Sequence, residues 1–251
     1  MQIARHALAA FLVGVAAGMT PSAAEEVRRL GLSEVITDST REGIPLDELI
    51  RIRIGDTQLR VPAGFIAPWP KSKMRNVLND WQGISFNFWM PERRYVEIND
   101  LSLTNFRPKE SGRDPSSGVP FVVKVRPLRP MKPTELGTLS PELRFKNLTS
   151  WPSQASYSFK EESFGLVHFW RNDGPEAFIF YKHIDGTDPQ ILLKCTPFSR
   201  TPANPLCDGV VYSAAEELSL NVYFSRGDVG RWRESVEAAI DLFKSWKAAA
   251  Q

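Results

Sequence analysis

Few side chains in this chain have the type and spacing that chemistry requires. Beyond His6 there are two imidazoles, His168 and His183. Such a pair can serve acid–base catalysis or hold a metal. Pairing of adjacent strands would bring the two together, yet neither an HxH nor an HExxH spacing is present, and third and fourth ligands are missing. They read as core or edge histidines, with no metal and no cofactor expected. Serine chemistry has no GxSxG elbow to start from, and Ser158-Phe159-Lys160-Glu161 is not an SxxK motif. Glu161/Glu162 and Glu216/Glu217 are sequence neighbours, which on a strand face opposite sides and cannot flank one bond. Asp185-Gly186-Thr187-Asp188 offers two carboxylates where Ca²⁺ takes about six to eight oxygens, so it reads as a hairpin turn. Asn147-Leu148-Thr149 is a glycosylation sequon, of consequence only in a eukaryotic secretory route. The expectation is a protein without catalytic residues.

Binding chemistry is better represented. In RPLRPMKP, residues 126–133, prolines alternate with cations, and Lys124, Arg126, Arg129 and Lys132 supply four positive charges. Proline holds such a segment extended and lowers the entropy lost on binding. An acidic protein surface or an anionic headgroup would suit it. Trp69, Trp81, Trp89 and Trp151 lie in or beside expected loops, and Trp with Arg dominates interface hot spots. Lys124, Arg126, Arg129, Lys132, Trp69 and Trp89 are therefore the candidate partner-binding residues.

Any such site has to be placed by a folded body, and 251 residues suffice for one large domain or two small ones. With 42% hydrophobic and 24% charged residues the composition is that of a globular chain. Residues 1–24 read as a three-part export leader. Arg5 supplies its charge, residues 7–19 its apolar run, and Thr20-Pro21-Ser22-Ala23-Ala24 a small-residue cleavage site. The run is shorter than the roughly 20 residues a membrane-crossing helix needs, and no later stretch is long and apolar enough. Losing Arg5 with the leader leaves 30 cations against 29 anions, a balance that gives no reason to expect nucleic-acid binding. The two cysteines, Cys195 and Cys207, are expected to pair in an oxidising periplasmic or extracellular space, closing a loop that holds Pro197, Pro202 and Pro205.

The expected fold class is α+β, an antiparallel β-sheet meander covered by a C-terminal amphipathic helix. Two halves are read, a β-rich one over residues 25–133 and a sheet plus helix over 134–251, which can equally form one continuous domain over 25–251. A short helix is read around residues 22–32. Alternation predicts a hairpin over 49–54 and 57–61 about Gly55-Asp56, and further strands over 83–90 and 121–125. Residues 64–79 read as a loop and 134–152 as a connection between the halves. Six more strands follow, over 157–160, 164–170, 177–184, 191–195, 209–213 and 218–225, joined by turn residues. Asp228 reads as an N-cap, after which Val229, Trp232, Val236, Ala239, Ile240, Phe243 and Trp246 recur at helical spacing.

Two segments together resemble exported type VI secretion immunity-like proteins: IRIGDTQLRVPAGFI over residues 52–66 with GISFNFWMP downstream, and Cys195 to Cys207 followed by LSLNVYFSR and GRWRESVEAAIDLF. The resemblance touches the two ends of the mature chain. It implies a periplasmic protein that binds a cognate secreted effector and neutralises this toxin by occluding its active site. The alternative from another class is a cell-envelope hydrolase or carbohydrate-binding protein.

Overall fold

The computed structural model describes residues 44–66, 76–96, 120–150, 157–171, 179–184, 186, 188–196 and 206–251. Residues 1–24, read as a leader, the helix read around residues 22–32, Trp69 and Trp151 lie outside them.

Strands β1 (Leu49–Ile54) and β2 (Thr57–Pro62) form the expected hairpin, with Gly55 at φ +58° in the turn. Their alternation is literal: Ile50, Ile52 and Ile54 are buried while Leu49, Arg51 and Arg53 are exposed. A third strand, β3 (Leu78–Trp81), lies parallel to β1, with Arg53 and Asp80 directly opposite and joined at 2.9 Å. This strand begins inside the stretch read as a loop. Its four residues LNDW show no alternation, and what fixes them is a long-range pairing.

The second sheet has eight strands in the order β4-β5-β11-β10-β9-β8-β7-β6, every neighbour antiparallel. They are β4 (Ile84–Met90), β5 (Phe121–Pro130), β6 (Tyr157–Glu161), β7 (Val167–Arg171), β8 (Ile179–His183), β9 (Gln190–Cys195), β10 (Leu206–Ser213) and β11 (Leu218–Ser225). From β6 to β11 the chain is the expected meander. β11 then pairs with β5, so strands from residues 25–133 and from 134–251 share one sheet.

Helix α2 (Trp232–Ala248) lies on one face of this sheet. Its buried stripe, Trp232, Val236, Ala239, Ile240, Phe243 and Trp246, joins one cluster with β1, β2 and the inward residues of β4, β5, β9, β10 and β11. Trp246 sits 4.9 Å from Phe86 and 5.3 Å from Phe65, ring centre to ring centre. Burial of a large apolar side chain contributes on the order of 2 kcal/mol, which holds a helix of this length where its own hydrogen bonds would not. The helix begins later than the sequence suggests. Arg226–Arg231 is a 3₁₀ segment opened by Ser225, whose Oγ accepts from Gly227 N–H at 3.3 Å. Asp228 is buried inside that turn instead of capping the α-helix.

Helix α1 (Pro141–Ser150) covers part of the other face and lies within the stretch read as a connection. Ser140 Oγ accepts from Leu143 N–H at 3.2 Å, and Pro141 starts the helix with its fixed φ. Phe145 and Leu148 pack on Phe169, Leu192 and Val210.

Candidate functional site

Three assemblies of polar side chains sit on this frame. The first is the base of the segment between β9 and β10. Cys195 and Cys207 stand directly opposite each other and are joined as a disulfide, both wholly buried in the main core. One step outward, Thr196 N–H donates to the Leu206 carbonyl at 2.9 Å and Leu206 N–H donates to Thr196 Oγ1 at 3.1 Å. Arg226 Nη1 donates to the Thr196 carbonyl at 3.4 Å. A cross-link, two backbone-anchored hydrogen bonds and a guanidinium therefore pin both ends of the segment. Its interior, residues 197–205, lies outside the described residues.

The second assembly lies on the sheet face away from α2, along β4 and β5. Here the expectation of a proline-extended basic segment is modified. β5 runs through residue 130, so the segment is strand there, with Leu128 paired to both β4 and β11 and Arg129 and Pro130 paired to β11 alone. Relative to both neighbours β5 carries one extra residue: Val125 pairs with Phe86 and Val222, whereas Leu128 pairs with Ile84 and Leu220. This bulge keeps Val125 and Leu128 in the core and turns Arg126 and Pro127 outward. Proline suits the position because the bulge leaves an N–H out of the ladder. Gly83 faces it, and a Cβ there would stand 2.9 Å from Pro127 Cβ.

Lys124 is only 5% exposed, opposite Asn87 on one side and Tyr223 on the other. Burial, with the charge of Arg126, lowers its pKa to about 8. Trp89 is 2% exposed within β4, with the Arg94 guanidinium 5.5 Å from its ring centre. Both Lys124 and Trp89 lie in the strands read for them, and both are buried in the sheet. Arg129 lies near the end of β5 and Lys132 two residues past it, before a 3₁₀ turn at Pro133–Glu135. Lys132 N–H donates to Glu135 Oε2 at 3.3 Å, and its side chain is exposed. One register row crosses all eight strands: Asn87, Lys124, Tyr223, Asp208, Lys194, Phe180, Phe169 and Phe159. It is polar at the β4 end and a ladder of stacked rings at the β6 end, where Phe159 is 51% exposed. Burial pushes the Asp208 carboxyl up, against the pull of Lys194 and Arg144.

The third assembly holds the histidines. Glu162 stands 3.7 Å from His168 Nδ1 and 3.3 Å from Lys160 Nζ. The His168 ring lies 4.8 Å from Trp170 and 5.1 Å from Tyr181. Burial raises the Tyr181 hydroxyl, which Arg226 draws down and Glu162 pushes further up. His183 is in a different setting, with Nε2 at 3.1 Å from Arg233 Nη2 and its ring against Trp232. A guanidinium only donates, so in this contact His183 Nε2 is the acceptor. Among the described residues no group of three His, Cys, Asp or Glu is placed to hold a metal ion. The turn before β9 uses its carboxylate structurally: Asp188 accepts from Ala214 N–H at 2.7 Å and from Ser213 Oγ at 3.2 Å.

Sequence reasoning singled out Lys124, Arg126 and Trp89, which the structure brings onto one face. It did not single out Asn87, Tyr223 or Asp208, which join them only through strand register. Nor did it single out Tyr181 or Arg226, or join Glu162 to His168: Glu162 and Tyr181 reach His168 through the turn at 162–166 and the β7–β8 pairing, and Arg226, at the end of β11, acts on Tyr181.

No family model matches this chain, and no curated protein does. Two solved structures are similar to it. One is Smlt3025, an immunity protein of the Stenotrophomonas maltophilia type IV secretion system, at 12% identity and TM-score 0.49 over 80% of this chain and 93% of that one. The other is the Neisseria meningitidis iron-regulated outer membrane lipoprotein FrpD, at 11% identity and TM-score 0.46 over 81% and 94%. At such values neither likeness carries an argument about function.

Proposed function

We propose that this protein acts outside the cytoplasm as a binding protein that neutralises a cognate secreted toxin by occluding its active site, and does no chemistry of its own. The observation that supports this most directly is the pinned base of the segment between Cys195 and Cys207. A recognition loop gains affinity when its ends are fixed before binding, because less conformational entropy is lost in the complex. The disulfide belongs to an oxidising compartment, in keeping with the export leader read in residues 1–24. The test is recovery of the full chain from its native cell envelope after cross-linking, with mass spectrometry of what accompanies it. A secreted effector is expected with the natural protein. It should be lost when residues 197–205 are replaced by a Gly-Ser linker of equal length that leaves the disulfide intact.

A second reading rests on the grouping of Glu162, His168, Trp170 and Tyr181, since aromatic rings beside a carboxylate suit sugar binding or glycan hydrolysis. Binding or turnover of envelope glycan that His168→Ala abolishes, with no protein partner recovered, would replace the first reading by this one.

A further inference from the structure

Strand β6 ends the eight-stranded sheet, and among the described residues no strand pairs with its outer side. That edge has a definite phase. Glu162 N–H donates to the Leu166 carbonyl at 2.8 Å, and hydrogen-bonding direction alternates along an antiparallel strand. Ser158 and Lys160 therefore turn their backbone groups toward β7, while Tyr157, Phe159 and Glu161 turn theirs away from it. Side chains of the latter three share one face of the sheet, where Phe159 meets Phe145 of α1 at 6.4 Å. Phe159 is the exposed end of a ladder in which Phe180, Phe169 and Phe159 stack at 5.3 and 5.8 Å between ring centres. Tyr157 Oη donates to the Leu148 carbonyl at 2.8 Å, which ties the strand to α1. Proteins commonly blunt such an edge with proline or with lysine. The strand YSFKE has no proline, and its one lysine, Lys160, is drawn to Glu162 at 3.3 Å.

We propose that β6 pairs with β6 of a second copy of this chain, antiparallel about a two-fold axis through Phe159. Such an interface uses the same patch on both copies, so its register can be read from YSFKE itself. With Phe159 on the axis, Phe159 faces Phe159, Tyr157 faces Glu161 and Ser158 faces Lys160. No like charges stand opposite each other, and every outward-turned backbone group of the strand meets one turned back toward it. Centring on Lys160 would set two ammonium groups opposite, which destabilises a cross-strand pair. Centring on Ser158 would leave Glu161 beyond the end of the partner strand. The Phe159 register also continues the ring ladder from one sheet into the other. Charge agrees with it, because Arg171 of one copy and Glu161 of the other flank Tyr157 in a single row. The occupant is a second copy because the strand complements itself in rings and in charge. This contact does not depend on whether the protein neutralises a toxin.

The test follows the full mature chain by analytical ultracentrifugation from about 1 μM to about 1 mM, the range in which a small interface dissociates. A monomer–dimer equilibrium is expected. Amide exchange at Tyr157, Phe159 and Glu161 should slow as the dimer forms, while Ser158 and Lys160, whose N–H groups face β7, keep their rates. Phe159→Asp and Phe159→Lys put like charges on the axis and should each weaken the dimer by about tenfold or more. Leu49→Asp, at a comparably exposed apolar residue on β1, should leave it unaltered. Phe159→Cys should form a disulfide-linked dimer on mild oxidation, since residues opposite in a hydrogen-bonded pair stand about 5.5 Å apart at Cα. Lys160→Cys should not. Sedimentation as a monomer across the whole range overturns the proposal, as does a dimer that folded Phe159→Asp and Phe159→Lys leave intact. A foreign polypeptide cross-linked at residue 159, with the chain alone monomeric, overturns it too and assigns the edge to another protein.

Discussion

A lysine at 5% exposure has to be accommodated by its surroundings, and Lys124 shows what that does to its proton. Its pKa of about 8 lies below the ordinary lysine value of 10.5. Between those two pH values the unfolded chain holds a proton that the folded one has released, so stability climbs with pH across that window. The full rise is on the order of 3 kcal/mol. Below pH 8 both states are protonated and the folded state bears the whole cost of the buried charge. Chemical denaturation of Lys124→Met at pH 7 and pH 10, beside the natural protein, should show the variant gaining least at the higher pH. A pH-independent difference between the two would mean that Lys124 stays charged throughout. The same residue marks the limit of reading the sequence. Its basic neighbours stand out in RPLRPMKP, but its burial depends on Asn87 and Tyr223, which only strand register places beside it.

Elements with strong local signals are legible in the sequence, and those set by distant partners are not. The β1–β2 hairpin, the meander from β6 to β11 and the stripe on α2 all follow from apolar spacing. β3 is four residues without alternation, held by its parallel pairing with β1. α1 was legible in principle: Ser140-Pro141-Glu142 is a start signal, but only four of its ten residues, Leu143, Phe145, Leu148 and Pro141, are apolar, and two of those lie against the sheet. The bulge in β5 hides for another reason. A proline inside an apparent strand normally argues for its end, and Pro127 is tolerated because the extra residue takes it out of the ladder. Gly83 is the counterpart of that device. Gly83→Ala should cost about 1–3 kcal/mol by overpacking against Pro127, measured as a shift in the urea midpoint. An unchanged midpoint would mean that the bulge yields freely. The Cys195–Cys207 link acts on the neighbouring element. Replacing both cysteines by alanine should lower stability by about 3 kcal/mol through the freed loop, with the sheet retained in far-ultraviolet circular dichroism.

For the molecule as a whole, the deciding contact is β5 against β11. It joins residues 121–130 to residues 218–225 in one sheet, and a single apolar cluster runs from Ile50 and Val61 through Phe86 and Val222 to Trp246. Residues 25–133 and 134–251 expressed separately should therefore each lack a cooperative unfolding transition, and mixing them should restore one. Either fragment melting cooperatively alone would show that its half holds a sufficient core of its own.

The strand order also determines when a growing chain can finish folding. β4 and β5 come early, yet the strand that joins them to the meander is the last of all, and α2 follows it. A polypeptide threaded N-terminus first, out of a ribosome or through a narrow pore, has no means of closing its sheet until residue 218 has emerged. Such delayed closure comes from pairing distant parts of the chain.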